Sequence, residues 1–194
     1  FEQALRKPGM SFICEVKKAS PSKGLIAPEF PYLDIARDYE AAGASAISVL
    51  TEPAYFQGNN RYLTEIKAEC SLPLLRKDFT VDEYQIYEAK TIGADAVLLI
   101  CALLDTQTIA QYISICDALS LSALVEAHTA QEVFSALEAG AHIVGVNNRN
   151  LKTFDVNLDT CEKLRPLVPP SVLFVAESGI KTSDDIRRLD KAGG

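Results

Sequence analysis

The sequence Phe-Ile-Cys-Glu-Val-Lys-Lys-Ala-Ser-Pro-Ser-Lys-Gly, residues 12–24, begins as a buried strand and then changes character. Apolar residues such as Phe12 and Val16 are typical of a short strand that is covered on both faces. Glu15 and Lys17 interrupt this run at alternate positions, so on a strand they point to the same side. Because ligand sites gather at strand ends of parallel sheets, the stretch indicates either a functional strand end or a buried ion pair.

Outward from this stretch, apolar strand-like runs alternate with segments of helical period. The predicted strands are 12–16, 46–50, 72–75, 96–100, 122–125, 143–146 and 172–176. The predicted helices are 31–42, 62–70, 82–91, one from the N-cap Asp105 to Leu119, one from the N-cap Thr129 to Ala139, 158–167, and one from Thr182 or Ser183 to Ala192. Seven β-then-α units predict a parallel sheet with helices outside it.

The joints between helices and strands repeat one pattern: Ala42-Gly43-Ala44, Ile92-Gly93-Ala94 and Ala139-Gly140-Ala141. The final Lys191-Ala192-Gly193-Gly194 has the same form, so we expect an eighth strand and helix to follow it. The predicted fold is therefore a (β/α)8 TIM barrel, here lacking its eighth βα unit, with residues 1–194 as a single domain. A doubly wound open sheet is the alternative, but it requires a glycine-rich phosphate loop that the chain lacks.

Composition excludes several function classes. The 194-residue chain has a net charge of −7, which argues against nucleic acid as a partner. No apolar stretch is long enough to predict a membrane span. The five scattered cysteines, with no Cys-x-x-Cys pair, predict reduced thiols and a cytoplasmic location. We expect no metal site, because His128 and His142 have no partner at ligand spacing.

Polar residues follow six of the predicted strands, and parallel strands place their carboxyl ends at one rim. These residues are Glu15, Lys17, Glu52, Lys77, Asp78, Glu126, Asn147, Arg149, Glu177 and Ser178. Lys77 lies between apolar Leu75 and Phe79, and partial desolvation there would suit a general acid. An ion pair with Asp78 or a nearby glutamate is the alternative. Glu126 presents the same choice between a general base and a structural carboxylate.

The motifs in which these residues lie are long and ordered. They are Glu15-Val-Lys17-Lys-Ala-Ser20-Pro-Ser, Ser45-Ala-Ile-Ser-Val-Leu-Thr51-Glu52, Tyr55-Phe56-Gln-Gly58, Leu75-Arg-Lys77-Asp78-Phe79, Leu124-Val-Glu126-Ala, Val144-Gly-Val-Asn147-Asn-Arg149-Asn-Leu151 and Val175-Ala-Glu177-Ser178-Gly179-Ile180. Together they resemble the indole-3-glycerol phosphate synthase family of tryptophan biosynthesis. The resemblance runs from about Phe12 to the end, without most of the family's N-terminal helical extension or its eighth βα unit.

The resemblance implies a reaction and a substrate. The substrate would be 1-(2-carboxyphenylamino)-1-deoxyribulose 5-phosphate, a small molecule that carries a carboxylate and a phosphate. Closure of the pyrrole ring, with loss of carbon dioxide and water, would give indole-3-glycerol phosphate, and neither cofactor nor metal is implied. Phosphoribosylanthranilate isomerase, another phosphosugar barrel enzyme, and an inactive fragment or scaffold are the alternatives. Fusion to, or association with, another tryptophan-pathway enzyme is also open.

The resemblance also implies residue roles. Lys77 would be the general acid, Glu126 the base and Lys17 the group that holds the carboxylate, while Glu15 and Asn147 position these groups. The remaining implied site residues are Ser178 and Gly179 for the phosphate, Phe56, Phe79 and Leu151 around the aromatic ring, and Ser20, Arg149 and Glu177 as further substrate contacts. Plain core packing is the alternative for the three apolar residues.

The turn-rich segment 18–24 has few residues to bury, so we expect a mobile loop. Its position after Glu15 and Lys17 predicts that it closes over bound substrate and excludes water.

Overall fold

The computed structural model describes residues 1–151 and 153–193. The chain divides into two compact units. The first comprises Phe1–Leu98 with Ile115–Ser122, and the second comprises Leu99–Ser114 with Ala123–Gly194.

Strands and helices alternate along the described residues. The strands are β1 Ile13–Val16, β2 Ala19–Ser20, β3 Gly24–Leu25, β4 Ala46–Leu50, β5 Leu74–Lys77, β6 Ala96–Ile100, β7 Ser122–Ala127, β8 Ile143–Asn147 and β9 Leu173–Glu177. The helices are α1 Glu2–Leu5, α2 Tyr32–Ala41, α3 Pro53–Phe56, α4 Asn60–Glu69, α5 Tyr84–Thr91, α6 Thr106–Ala118, α7 Ala130–Glu138, α8 Asp159–Leu164 and α9 Ser183–Lys191, with a 3-10 turn at Arg165–Leu167.

In the first unit, β1, β4, β5 and β6 pair in that order and in parallel. Glu15 lies opposite Ser48, and Leu50 lies opposite Lys77. Since side chains alternate between faces and paired residues share one, Glu15 and Lys77 point to the same face of this sheet. The opposite face carries Val16 and Val49, which are buried. Helices α2 and α4 pack on this side of the unit, with α2 against β1 and α4 against β4 and β5.

In the second unit, β7, β8 and β9 pair in parallel. Glu126 lies opposite Gly145, and Asn147 lies opposite Glu177. The same alternation therefore puts Glu126, Asn147 and Glu177 on one face. The other face is apolar, and its buried Val125 and Val144 belong to the core together with fully buried residues of α7.

The structure confirms the seven predicted strands and the N-caps Asp105 and Thr129, and it selects Thr182 over Ser183 as the cap of the last helix. The caps accept backbone N–H bonds: Asp105 from Thr108 at 2.7 Å, Thr129 from Glu132 at 3.2 Å, and Thr182 from Asp185 at 3.2 Å. Glycines at the predicted joints have left-handed φ values of +85°, +95° and +86° at Gly43, Gly93 and Gly140. The fourth joint includes Gly194, which lies outside the described residues.

Four strands end later than predicted, and each extension has a functional consequence. β5 runs to Lys77, β7 to Ala127, β8 to Asn147 and β9 to Glu177. Lys77, Glu126, Asn147 and Glu177 therefore lie within strands rather than after them. Apolar patterning ends a predicted strand at its first polar residue, whereas the backbone ladder continues through polar residues.

The segment 18–24, predicted to be a mobile loop, contains paired strands, while its mobility and its closure over substrate stay predictions. β2 and β3 pair as a small antiparallel hairpin, in which Ala19 lies opposite Leu25 and Ser20 opposite Gly24. Ala19 and Ser20 are buried, whereas residues 21–24 at the tip are exposed. These two strands are too short to show a hydrophobic period, so sequence patterns do not predict them.

Over the described residues, no helix combines the length and apolar character needed to cross a bilayer.

Candidate active site

Glu15 and Lys17 form an ion pair at the end of β1. The Lys17 ammonium donates to the Glu15 carboxylate, and each side chain remains about one third exposed, at 31% and 33%. Tyr39 fixes the backbone beneath the pair, because its hydroxyl donates to the Glu15 carbonyl at 3.2 Å. The sequence left an ion pair and a functional strand end as alternatives. In the structure the two are compatible, since the paired amine stays open to an incoming anion.

Lys77 is the last residue of β5 and is half-buried. Its neighbour Asp78 is engaged by other groups. Asp78 accepts a hydrogen bond from the Thr51 hydroxyl at 2.5 Å and from the Phe79 backbone at 2.9 Å. These bonds tie the end of β5 to the end of β4, which fixes the backbone that carries Lys77.

Arg76 is a buried anchor behind Lys77 that the sequence analysis did not identify. Its side chain points away from the Glu15–Lys77 face and is 5% exposed. The guanidinium pairs with Glu88 at 2.6 Å and donates to the Gln85 carbonyl at 2.9 Å, both on α5. It also lies 3.5 Å from Asp78. A charged residue inside an apolar strand run was the available signal, because a buried charge requires a partner.

Glu52 was grouped with the candidate functional residues at the strand ends, and in the structure its carboxylate caps helix α3. Its carboxylate accepts the backbone N–H bonds of Ala54, Tyr55 and Phe56 at 2.9, 2.6 and 3.1 Å. Together they close the first turn of α3, which the sequence analysis missed because four residues are too few to show a period.

The predicted aromatic residues of the first unit lie together. The rings of Phe56 and Phe79 have centroids 6.2 Å apart, and Tyr55 lies 6.4 Å from Phe79. Phe79 is 37% exposed, so it is not a core residue. In the second unit, Leu151 is 47% exposed, which likewise argues against plain core packing.

Glu126 lies near the end of β7 and is 3% exposed. The amide Nδ2 of Asn147 donates to its Oε1 at 3.2 Å, and the Nε2 of His128 lies 3.2 Å from the same oxygen. Burial disfavours the ionised form of a carboxyl group, whereas donors and cations favour it. The site therefore holds one carboxylate between an amide and an imidazole.

His128 is a residue that sequence reasoning missed. Its Nδ1 lies 3.2 Å from Glu132 Oε2, and its backbone N–H donates to the same oxygen at 2.7 Å. Burial tends to lower the pKa of His128, but hydrogen bonds and charge from Glu126 and Glu132 outweigh it and raise the pKa. The spacing of these residues could have identified His128. Glu126 and His128 are two positions apart, so in extended chain they point to one side, and Glu132 follows the cap Thr129. In the described residues no group of three or more His, Cys, Asp or Glu side chains could hold a metal.

Asn147 and Asn148 shape the turn after β8. Asn147 Oδ1 accepts the backbone N–H of Arg149 at 3.0 Å, which orients the amide nitrogen toward Glu126. Asn148 is 3% exposed and donates to the carbonyls of Glu177 and Ser178 at 3.0 and 3.2 Å. Arg149 donates to the Phe154 carbonyl at 3.1 Å, so its guanidinium is held at the surface of this loop.

The end of β9 has an unusual backbone. Ser178 and Gly179 have φ values of +65° and +84°. A side chain at Gly179 would lie 2.3 Å from Val156, so only glycine fits there. At Gly145, a Cβ would lie 2.2 Å from Glu177 Oε1, so this glycine leaves space for the Glu177 carboxylate.

Each unit thus brings together part of the predicted set. The first places Glu15, Lys17 and Lys77 on or just beyond one sheet face and pairs Phe56 with Phe79. The second groups Glu126 with Asn147, and Glu177 with the Ser178–Gly179 turn. Ser20 is buried in the hairpin at 8% exposure, and its contact with substrate stays a prediction.

The thiols offer no nucleophile. All five cysteines are free. Burial raises the pKa of Cys101, Cys116 and Cys161 to about 12, so these three are thiols rather than thiolates at neutral pH.

Comparison with known proteins adds an independent result. The family model described as indole-3-glycerol phosphate synthase matches residues 1–194. The chain is 63% identical over 193 residues to the protein of that name from Ruminiclostridium cellulolyticum, covering all of this chain and 74% of the relative. It is 53% identical over 193 residues to the one from Lachnoclostridium phytofermentans, covering 71% of that protein.

A solved structure of similar fold comes from a different enzyme. The N-acetylmannosamine-6-phosphate 2-epimerase of Clostridium perfringens superposes with a TM-score of 0.70 at 15% identity, covering 94% of this chain and 82% of the epimerase. At this identity the likeness shows the fold alone. It confirms the TIM-barrel type of fold over the doubly wound alternative, with seven βα units in the part of the chain that the structure describes.

Proposed function

The chain belongs to the indole-3-glycerol phosphate synthase family, and from this premise we propose which of its residues carry the reaction. The activity is that of a lyase of tryptophan biosynthesis, which closes the pyrrole ring of its substrate with loss of carbon dioxide and water. The substrate is small, anionic and phosphate-bearing. The observation that best supports the residue assignment is the buried Glu126 carboxylate, held by Asn147 on one strand face.

In the proposed mechanism, Lys77 donates a proton to the ketose carbonyl oxygen as the aromatic ring carbon attacks the carbonyl carbon. Its half-buried position at the end of β5 supports this role, since partial desolvation eases proton loss from an ammonium group. Lys17 holds the substrate carboxylate until it leaves as carbon dioxide, and the paired Glu15 fixes the direction of the Lys17 amine. Phe56 and Phe79 flank the aromatic ring.

Glu126 then accepts the proton that is lost as water departs and the indole becomes aromatic. A base of this kind must be ionised and held in place beforehand. Asn147 supplies the positioning bond at 3.2 Å, and the Arg149 backbone N–H fixes Asn147 in turn.

The phosphate is assigned to the turn after β9. Ser178 and Gly179 have left-handed conformations, in which successive backbone N–H groups can form a concave anion site. Glu177 and Arg149 are proposed as further substrate contacts, with Leu151 against the apolar part of the substrate.

The test of this assignment is the substitution Glu126→Gln, which keeps the shape and the Asn147 contact but removes the basic oxygen. We expect kcat for indole-3-glycerol phosphate formation to fall by at least ~10²-fold with little change in KM. Glu138→Gln is the matched control, because Glu138 lies on α7 and is exposed. If Glu126→Gln keeps near-parental turnover, Glu126 is not the base.

Three further proposals accompany this function. A cytoplasmic location is supported by the five free cysteines. A single domain over residues 1–194 and an association or fusion with another enzyme of tryptophan biosynthesis stay predictions.

A further inference from the structure

His128 lies between two carboxylates and is 14% exposed at its side chain. Nε2 lies 3.2 Å from Glu126 Oε1, and Nδ1 lies 3.2 Å from Glu132 Oε2. Nε2 is buried and makes no well-aligned hydrogen bond with the described residues. The Glu126 carboxylate lies beside it and can interact with it through its charge. The imidazole takes no part in the proposed proton transfers or substrate contacts.

The second carboxylate is fixed in place. Glu132 Oε2 accepts the His128 backbone N–H at 2.7 Å, and the Glu132 backbone N–H donates to the Thr129 hydroxyl at 3.2 Å. The turn that starts α7 therefore holds Glu132 against Nδ1. An imidazole with an acceptor at each nitrogen is best satisfied in its protonated form, in which both nitrogens donate.

A cationic partner favours the ionised form of Glu126. Burial of a carboxyl group that is 3% exposed favours its protonated form, and a protonated base cannot begin the reaction. An imidazolium at 3.2 Å opposes that tendency.

Three neighbours of the pair are neutral or acidic. Cys101 packs against both ends, since its N–H donates to the Glu126 carbonyl at 3.0 Å and its Sγ to the Glu132 carbonyl at 3.5 Å, but its thiol is neutral. Asn147 is uncharged. Glu177 lies across Gly145 on β9 and adds negative charge, which makes a cation beside Glu126 more necessary.

We propose that His128 is a positioning residue for Glu126: as an imidazolium anchored by Glu132, it keeps the catalytic carboxylate ionised and oriented. The proposal rests on the assignment of Glu126 as the base. Glu132 acts one step further away, by holding His128 in its charged form.

The test is the pH profile of kcat for His128→Asn in the intact protein. Asparagine keeps a donor but no charge, so the acidic limb, which reports protonation of Glu126, should move to higher pH by about 1 unit. On the acidic side of the profile, kcat of the variant should be ~10-fold lower than kcat of the parent at the same pH. At pH 8.5 the two values should agree within ~3-fold. His142→Asn is the control, because His142 is exposed and is the other of the two histidines.

Glu132→Gln provides a second variant if His128→Asn does not fold, since a glutamine oxygen can still accept the His128 backbone N–H. Its acidic limb should shift in the same direction by a smaller amount. An unmoved limb, whether kcat is intact or lowered equally at all pH values, overturns the proposal. Glu126→Gln separates the two claims: if it retains turnover, the base is assigned wrongly, whereas its inactivity with an unmoved His128→Asn limb disproves only the role of His128.

Imidazole nitrogen NMR gives a readout without substrate. With two histidines in the chain, the His142→Asn variant leaves one signal to titrate. The midpoint of His128 should lie above the ordinary histidine value and should fall in Glu132→Gln and in Glu126→Gln. A midpoint that neither substitution moves also overturns the proposal.

Discussion

The two units differ in which residue at their strand ends carries the fully buried charge. In the first unit the proposed reactive group, Lys77, is half-buried, and the fully buried charge is Arg76 behind it. In the second unit the proposed reactive group, Glu126, is itself fully buried, and the buried residue behind the turn is the neutral Asn148.

This difference follows from which group must be held in advance. A lysine on a flexible stem can be guided by an anionic substrate, provided that its backbone is fixed. A buried carboxylate must be kept ionised by partners that are already in place. We therefore expect structural damage to be greatest at Arg76 and pH sensitivity to be greatest around Glu126.

The largest expected effect is on stability, from Arg76→Met. Removing a guanidinium that is 5% exposed leaves Glu88 and Asp78 without their buried cation. We expect a loss of about 3–5 kcal/mol in the free energy of unfolding, measured by urea denaturation. Arg61→Met, at an exposed position on α4, is the control. A loss below about 1 kcal/mol would remove the distinction between the anchors of the two units.

Next in size is the effect of Lys77→Met on turnover. Loss of the proposed proton donor should lower kcat by at least ~10²-fold and change KM little, as measured by steady-state kinetics. Lys90→Met, at an exposed position on α5, should leave both constants unchanged. If Lys77→Met stays within a few-fold of the parent while Lys17→Met is inactive, the two lysines exchange roles.

A smaller effect is expected for Asn148→Ala in the second unit. The amide makes hydrogen bonds to the Glu177 and Ser178 carbonyls and accepts the Cys161 N–H at 3.1 Å. Leaving these buried groups unsatisfied should cost about 1–3 kcal/mol. The same denaturation measurement checks it, with Asn150→Ala at an exposed position as control. A loss as large as that at Arg76 would contradict the contrast between charged and neutral anchors.

The smallest effect concerns pH and stability at His128. Folding raises the pKa of His128, despite the opposing effect of burial, through Glu126 and Glu132. A raised pKa means that the native state binds the proton more tightly, so the stabilisation is present in full below the unfolded-state pKa of about 6.5 and is lost as pH rises through the folded-state pKa. The stability difference between the parent and His128→Asn should therefore be larger at pH 5.5 than at pH 8.5. A difference that grows with pH would show that the imidazole is held neutral.

Local sequence patterns predicted the repeating βα order, the helix caps and most residues of the candidate site. These features depend on local patterns: apolar runs, cap residues and glycines that adopt positive φ values. The same patterns placed Lys77, Glu126 and Asn147 at the ends of strands, because a polar residue that follows an apolar run can be recognised from the sequence alone.

The partners of these residues depend on tertiary packing. His128 is partnered by Glu126 on β7 and by Glu132 on α7, and Arg76 is partnered by Glu88 on α5. Glu52 proved to be a cap for a helix too short to predict, and the segment after Lys17 proved to be a hairpin. The physical reason is that burial and ion pairing depend on which elements pack together, and a local sequence pattern does not carry that information.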